Sequence, residues 1–162
     1  MYKYDEIIFK TSIGNIQLAS KNKKIVAIQF TTKKVKQSNL VLLNKAKKQI
    51  EEYILGQRKL FDIKINPEGT KFQKTVWKKL YTIPYGKTVS YLKLANSLNT
   101  SPRAIGNACG KNPLLIVIPC HRVLSIRKEL KGFSALGGII TKKKLLKIKN
   151  IKIKELCLLY LL

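Results

Sequence analysis

Acidic residues are scarce in this sequence. Of its 162 residues, 8 are Asp or Glu and 33 are Lys or Arg, which gives a formal net charge of +25. A surface this basic attracts polyanions such as nucleic acids. Only four of the basic residues are arginines, however, and a lysine excess in a chain rich in Ile and Asn is typical of an AT-rich genome. We attribute most of the charge to that composition, so it is compatible with DNA binding without establishing it.

Cysteine and histidine are also few. The three cysteines, Cys109, Cys120 and Cys157, are an odd number and form no CxxC pair. This argues against a secreted scaffold held by disulfides. A single histidine, His121, is too few for an ordinary Cys/His zinc cluster, so we expect no structural metal.

Long apolar runs are missing as well. No run reaches the roughly 18 residues that a membrane-spanning helix needs, and no charged leader precedes an apolar signal region. Hydrophobic residues still make up 45% of the chain, enough for a packed core. We therefore expect a globular, cytoplasmic protein without membrane contact.

The first part of the chain has the pattern of a small sheet with a helix. Apolar runs separated by turn residues predict strands at Ile7–Phe9, Ile16–Ala19 and Ile25–Phe30. Apolar residues at helical spacing predict a helix over Leu40–Leu55, which Gly56 ends. Alternation over Phe61–Ile65 predicts a further strand.

The second part has the pattern of short helices. Thr70 and Gln73 fit a capping box, and Phe72, Val76 and Leu80 recur on one face of the helix that follows. A short helix is predicted over Val89–Leu98. Ser101 and Pro102 then give a strong start signal for a helix that runs to about Gly110. Two helices joined so tightly outline either a helix-turn-helix or an ordinary helical hairpin.

Later segments are predicted from composition. The apolar run Leu114–Ile118 predicts a buried extended segment, and Thr141 predicts the cap of a last helix. The Asn-Pro-Glu-Gly stretch at 66–69 suggests a domain boundary. We predict an N-terminal α/β domain over 1–67, a mostly helical DNA-binding and catalytic domain over 68–150, and a basic, then apolar tail of unknown role over 151–162.

The candidate nucleophile is Cys120, which directly precedes His121 and Arg122. A thiol is mostly protonated at neutral pH, and a base or a positive neighbour is needed to form the reactive thiolate. His121 and Arg122 are residues of those types. Adjacency alone is weak support, because a bare Cys-His dipeptide is more often structural than catalytic.

The surrounding motifs make the case specific. The segment Ile118–Val123, with the sequence IPCHRV, resembles the active-site signature of the O6-alkylguanine-DNA alkyltransferases. Tyr85–Tyr91 is similar to the start of that family's helix-turn-helix. Arg103–Gly106 and the following Lys-Asn-Pro resemble its recognition helix and Asn hinge. Gly132–Ser134, with two glycines close behind, resembles its substrate loop. These landmarks cover the chain from about residue 69 to 149.

The resemblance implies a fold, an activity and a partner. The fold is α/β, a small sheet-and-helix domain followed by a helical domain with a winged-helix-like helix-turn-helix. The activity is irreversible transfer of an alkyl group from O6 of guanine to Cys120, once per molecule and without a cofactor. The partner is double-stranded DNA, bound by a monomer. Because the target atom lies inside the duplex, the base must be flipped out.

The resemblance also implies roles for single residues. Arg103 would fill the gap left in the base stack, and the small Ala104 and Gly106 would let the helix approach the groove. His121 would take the Cys120 proton and Asn112 would brace the loop between recognition helix and active site. Tyr91 would read the flipped guanine and donate a proton or hydrogen bond as it leaves. The remaining implied contacts with the flipped guanine or the DNA are those of Arg122, Val123 and Ser134.

One position departs from the family pattern. The family places a glutamate after a Leu-Leu pair in the last helix to hold the histidine, and here Lys149 stands at that place. Loss of the acid should slow formation of the thiolate, although a nearby lysine charge can stabilise it. We expect a slowed but active transferase, and Lys149→Glu should accelerate transfer. An unchanged rate would show that the position has no such role.

Two other functions remain open from the sequence. Alkyltransferase-like proteins bind the lesion but lack the cysteine, so DNA affinity without transfer would select that class. A cysteine hydrolase using Cys120 and His121 lacks a supporting oxyanion motif, and inertness toward acyl substrates would dismiss it. The sequence leaves unanswered which alkyl sizes fit, whether O4-alkylthymine is repaired, and whether Cys109 is reactive.

Overall fold

The N-terminal sheet is an antiparallel meander. The computed structural model describes residues 4–148 and residue 150, and its first three strands are β1 (Asp5–Phe9), β2 (Asn15–Lys21) and β3 (Lys24–Thr31), in that order in the sheet. Buried residues alternate along β2, so one face points to the core. Asn22 and Lys23 have positive φ angles of 50° and 57°, as a tight hairpin between β2 and β3 requires. The three predicted strands are confirmed.

A single helix covers this sheet. Helix α1 (Val41–Ile54) follows the predicted range closely, with Leu40 at its N-cap. Gly56, with φ of 75°, lies just after the helix, where a left-handed residue commonly ends the turn. The buried face of α1 includes Leu43, Ala46, Ile50 and Tyr53, all of which are fully buried.

The predicted strand over Phe61–Ile65 is wrong. In the described chain this segment joins the sheet by one parallel bridge, between Ile65 and Ile25. The reason lies in Gln49 of α1, whose side chain accepts from the Asp62 backbone N–H at 2.8 Å and donates to its carbonyl at 3.2 Å. These backbone groups are thus bonded to a side chain instead of a neighbouring strand.

Helix α2 (Lys71–Tyr81) begins the second part of the chain. The capping box of Thr70 and Gln73 is present in both directions, as predicted. Val76 and Leu80 are buried, whereas Phe72 is 41% exposed and lies off the buried face on which we had placed it. The indole N–H of Trp77 donates to the Ala108 carbonyl at 2.8 Å and so fixes α2 to the helix that carries that residue.

The helix-turn-helix consists of α3 (Tyr91–Ser97) and α4 (Pro102–Gly110). The α4 prediction is confirmed, including the Ser101 cap. The predicted start at Val89 is wrong, because Val89–Ser90 forms strand β4 and pairs in parallel with β5 (Val123–Leu124). Ser90 then caps α3 by accepting from the Lys93 backbone N–H at 3.1 Å.

The apolar run Leu114–Ile118 is buried as predicted, but it is not extended. Its first residue bridges to Ile28 of β3, and the chain then turns, with a positive φ of 74° at Ile116. A 3-10 turn, Cys120–Arg122, follows after Pro119. The run therefore fastens the catalytic segment to the N-terminal sheet.

The last described helix, α5, spans Gly138–Lys147. Our prediction that Thr141 caps it is wrong. Gly137, in the left-handed region with φ of 83°, is the N-cap, and the Thr141 hydroxyl donates to the Leu136 carbonyl at 2.8 Å from within the first turn. The departure from the family at Lys149, the tail over 151–162 and Cys157 within it all lie outside the described residues.

Candidate active site

Cys120 begins the 3-10 turn and is only 4% exposed. The Asn112 side-chain amide donates to its sulfur at 3.2 Å and to the Ile118 carbonyl at 2.8 Å. The amide oxygen of Asn112 accepts from the Leu114 backbone N–H at 2.9 Å. Asn112 thus lies between the end of α4 and the Cys120 thiol, in the loop that we expected it to stabilise.

The electrostatics of Cys120 are a balance of opposing effects. Burial raises the pKa of the Cys120 thiol, because a thiolate is poorly solvated in the interior. The Asn112 hydrogen bond, the positive charge of Lys142 and backbone N–H groups of the turn lower the pKa in turn. Burial is the largest of these effects, so the pKa of Cys120 remains above its ordinary value.

His121 and Arg122, the second and third residues of the turn, have buried side chains. His121 is fully buried, and its Nε2 lies 3.5 Å from the Tyr53 hydroxyl oxygen on α1. Arg122 donates to the Ile83 carbonyl at 2.6 Å and to the Tyr53 hydroxyl at 3.3 Å. The structure therefore places Arg122 inside the protein, bonded to two internal oxygens, and we assign it no contact with DNA.

A cavity of about 750 Å³ opens beside Cys120. Volumes of this size are typical of small-molecule sites. It is bounded by α3, α4 and the loop before α5, and its lining includes Tyr91, Arg103, Gly106, Cys109, Cys120 and Ser134. The structure thus brings the predicted nucleophile, the recognition helix and the substrate loop to one space.

Helix α4 presents small residues and one arginine to this space. Arg103 is exposed at the rim of the cavity, and Ala104 is half-buried. Added bulk at Gly106 would meet no atom of the protein within 4 Å, so its lack of a side chain leaves the outer surface of the helix open. On the inner face Ile105, Ala108 and Cys109 are buried.

The loop before α5 closes the other side. The Ser134 hydroxyl donates to the Gly110 carbonyl at 2.9 Å, which joins the loop to the end of α4. The Tyr91 hydroxyl donates to the Lys131 carbonyl at 3.4 Å, and burial raises the pKa of Tyr91. Val123 is fully buried in β5, so a contact with substrate would have to come from its backbone.

Comparison with known proteins identifies the protein family. Residues 71–151 match the model of the 6-O-methylguanine DNA methyltransferase DNA-binding domain, and residues 4–67 match that of the 6-O-methylguanine DNA methyltransferase ribonuclease-like domain. The chain belongs to the 6-O-methylguanine DNA methyltransferase family. The expected family and fold class are confirmed. The matches leave 68–70 between them, and the domain bounds of 1–67 and 68–150 stay a prediction.

Named relatives agree with this assignment. A methylated-DNA–protein-cysteine methyltransferase of Methanosarcina acetivorans is 37% identical over 152 residues, which cover 88% of this chain and 96% of that protein. One of Mycobacterium tuberculosis is 42% identical over 104 residues, 63% of this chain and 62% of the relative.

Solved structures of the family superpose closely. The M. tuberculosis O6-methylguanine methyltransferase has a TM-score of 0.81 at 30% identity, over 91% of this chain and 93% of that one. The same enzyme in complex with DNA has a TM-score of 0.79 at 32% identity, over 89% and 91%. This neighbour therefore binds DNA with the same fold.

Sequence reasoning missed two side chains of the site. Lys142 is fully buried on α5 with its Nζ 3.4 Å from the Tyr91 hydroxyl oxygen, and Tyr53 reaches His121 from the N-terminal half. A signal existed for the first. Thr141, Lys142, Leu145 and Leu146 have the i, i+1, i+4, i+5 spacing of one helix face, so Lys142 falls on the apolar side.

Within residues 4–148 and 150, no group of three or more His, Cys, Asp or Glu side chains is arranged to hold a metal ion. None of the helices in the same part of the chain has the length and apolar character needed to cross a membrane.

Proposed function

We propose that this protein repairs alkylated DNA by direct reversal, transferring a methyl or other alkyl group from O6 of guanine in duplex DNA to Cys120. The single observation that carries the proposal is the position of Cys120. Its sulfur lies beside a cavity of about 750 Å³ at the inner side of the recognition helix and accepts a hydrogen bond from Asn112. In this position a flipped base would present its O6 substituent to the thiol.

The first step is extraction of the base. A guanine inside the duplex is out of reach of a buried thiol, and damaged bases are the least costly to unpair. Helix α4 would approach the minor groove, and Arg103 at the cavity rim would enter the vacated position in the stack. The small surface at Ala104 and Gly106 supports a close approach of helix and DNA.

The second step is the displacement. His121 would accept the Cys120 proton, through a water where the two side chains do not touch directly. The thiolate attacks the alkyl carbon, the bond from carbon to O6 breaks, and its electron pair passes to the purine. Tyr91, which lines the cavity, would donate to the departing guanine. The product is a thioether, so each molecule acts once, and the residues named need no cofactor for the transfer.

The test is the intact mass of the purified protein after incubation with a duplex carrying one O6-methylguanine. We expect a stoichiometric gain of one methyl group, mapped to Cys120, with Cys120→Ser as the matched variant that binds the duplex and gains nothing. Binding without any gain by the wild type would show a lesion-binding protein instead. Sedimentation of the protein with the same duplex tests the expected one-to-one monomeric complex.

A further inference from the structure

The guanidinium of Arg122 is a buried positive charge whose hydrogen-bond acceptors are both neutral. The residue is 5% exposed, and it donates to the Ile83 carbonyl at 2.6 Å and to the Tyr53 hydroxyl at 3.3 Å. Burial raises the pKa of Tyr53 to about 12, so this hydroxyl is uncharged at neutral pH. Within residues 4–148 and 150, no carboxylate forms an ion pair with Arg122. A buried charge is unfavourable without a partner of opposite sign.

The same guanidinium has further N–H groups to donate. An arginine has five of them, and in the described chain the two bonds to Ile83 and Tyr53 use one on Nη1 and one on Nη2. Nε is buried and has no hydrogen-bond partner among the described residues. Buried N–H groups in folded proteins are nearly always bonded. Arg122 therefore has both the charge and the donors to bind an anionic acceptor.

The acids nearest to Tyr53 and Arg58 in the sequence are bonded to other cations. Glu52, which precedes Tyr53, pairs with Arg58 at 2.6 Å. Asp62 pairs with Lys45 at 2.8 Å. Neither carboxylate is the counter-ion of Arg122, so an anion that binds there would supply the opposite charge.

Arg122 lines a cavity of about 300 Å³, a volume at the lower end for small-molecule sites. The other walls are the loop after α1, the end of α2 with the loop that follows it, and the segment before the 3-10 turn. In the described part of the chain, no residue lines both this cavity and the one beside Cys120, so the two are separate sites. The lining includes a second cation and three aromatic side chains, which are Lys59, Phe61, Tyr81 and Tyr85.

Two cations approach one aromatic ring in this cavity. Nζ of Lys59 and Cζ of Arg122 each lie 5.9 Å from the centroid of the Tyr85 ring. Like Arg122, Lys59 is in no ion pair with another described residue. Two positive groups at one ring repel each other, and an anion that contacts both would replace this repulsion by attraction. The aromatic side chains offer an apolar surface to the rest of such a ligand.

We propose that this cavity binds a small organic oxoanion, with its phosphate or carboxylate group on Arg122 and Lys59 and a flat apolar group against the aromatic walls. The planar fork of N–H groups on a guanidinium matches both kinds of oxoanion. The ligand is a small molecule and not duplex DNA, because a guanidinium that is only 5% exposed is out of reach of the phosphates of a helical backbone. This binding is independent of the alkyl transfer proposed above.

A purely structural role for Arg122 makes a different prediction. Its two hydrogen bonds join α1 to the loop after α2, and they need no ligand. In that case small anions would show no saturable binding, and the exposed Lys59 would have no effect on their affinity. The two roles are therefore separated by anion binding and by its dependence on Lys59.

The experiment titrates the wild type with phenyl phosphate or benzoate by isothermal calorimetry and follows the backbone amide shifts by NMR. We expect saturable binding of at least one of the two anions, with shift changes at residues 59–61 and 81–85. Two matched probes each lack one part of the ligand, since benzyl alcohol has the ring without the charge and inorganic phosphate has the charge without the ring. Each should bind at least about 10-fold more weakly than phenyl phosphate.

Substitutions in the protein test the two cations. Arg122→Met should weaken binding about 10- to 100-fold, because it removes charge-assisted hydrogen bonds. Lys59→Met changes an exposed side chain that folding does not require, and it should weaken binding about 2- to 5-fold. Lys64→Met, at an exposed lysine outside the cavity, is the matched control and should bind as the wild type does. Circular dichroism melting checks that each variant is folded, and Lys59→Met decides the test if Arg122→Met is not.

Several results would overturn the proposal. One is the absence of saturable binding by both anions, and another is an affinity that Lys59→Met leaves unchanged. Shift changes confined to residues 131–134 would place the ligand in the Cys120 cavity instead. Benzyl alcohol that binds as tightly as phenyl phosphate would show an apolar pocket without anion recognition, and inorganic phosphate that does so would show that the ligand needs no apolar group.

Discussion

The hydroxyl oxygen of Tyr53 lies 3.5 Å from Nε2 of His121, a residue 68 positions later in the chain. Arg122 donates to the same oxygen at 3.3 Å. The ring of Tyr53 is fully buried between Phe61 and Tyr85, with ring centroids 5.1 and 5.9 Å away. One phenol from the N-terminal half thus contacts both residues that follow the nucleophile.

Removing that hydroxyl should weaken the fold and slow the reaction. Tyr53→Phe keeps the ring but deprives a buried arginine of an acceptor, so we expect the free energy of unfolding to fall by about 1–3 kcal/mol. Transfer should slow as well, since His121 loses an orienting contact. Urea denaturation and single-turnover kinetics measure the two effects. Tyr81→Phe, at a tyrosine 51% exposed, is the control and should change stability by less than about 0.5 kcal/mol. A free energy of unfolding for Tyr53→Phe equal to that of the wild type would show that the hydroxyl contact does not stabilise the fold.

Asn112 should control the acidity of the nucleophile. Its N–H donation to the sulfur favours the thiolate, so Asn112→Ala should raise the pKa of Cys120 and leave less thiolate at any given pH. The pH profile of the rate at which a small thiol-reactive reagent modifies Cys120 should therefore shift to more alkaline pH. Asn107→Ala, exposed on the same helix, should leave that profile unchanged. A profile unmoved by Asn112→Ala would remove Asn112 from the activation of Cys120.

Cys109 should be inert in the folded protein. Burial and the neighbouring Cys120 raise the pKa of Cys109 to about 12, so it is protonated throughout the neutral range. Treatment of the native protein with iodoacetamide at pH 7.5, followed by peptide mass spectrometry, should leave Cys109 unmodified. The same treatment in urea should label it fully. Labelling of Cys109 in the native state as fast as in urea would contradict the assignment.

Lys142 should make stability rise with pH in the alkaline range. Burial lowers its pKa from 10.5 to about 8, so between these values the unfolded chain binds the proton and the folded protein does not. The free energy of unfolding therefore increases with pH over that window. The wild type should gain on the order of 2–3 kcal/mol relative to Lys142→Met from pH 8 to 10.5. Urea denaturation of both at several pH values measures the difference, and a constant difference would mean that the buried amine does not titrate there.

Much of the architecture was predictable because local signals and tertiary packing agree. The apolar run of β2 between turn residues, the helical spacing on α1 and the Ser101-Pro102 start of α4 each predict their own element, and the structure confirms all three. Failures occurred where a distant group decides the local conformation. The strand predicted at Phe61–Ile65 is lost to the Gln49 side chain, a contact that periodicity does not encode.

The site was predictable in part, for a related reason. The motif around Cys120 and the recognition helix are each one continuous segment of the sequence. The structure brings Tyr91, Arg103 and Ser134 together at one cavity. Arg122 shows the limit of such reasoning, because the resemblance implied a contact with the guanine or the DNA, whereas its side chain is bonded inside the protein to Ile83 and Tyr53. Tyr53 itself could not be found from the motif, since it belongs to another element and is far away in sequence.

The bridge between Ile28 and Leu114 has a consequence for how this protein fails on heating. Ile28 donates to the Pro113 carbonyl at 2.8 Å and accepts from the Leu115 N–H at 3.1 Å, so the segment leading to Cys120 is hydrogen-bonded to the edge of the meander. Melting of that edge would break these two bonds, whereas the Trp77 bond between α2 and α4 does not involve the meander. We therefore expect a heated molecule to lose alkyl transfer before it loses DNA binding. Such a molecule would remain on the lesion and shield it from other repair.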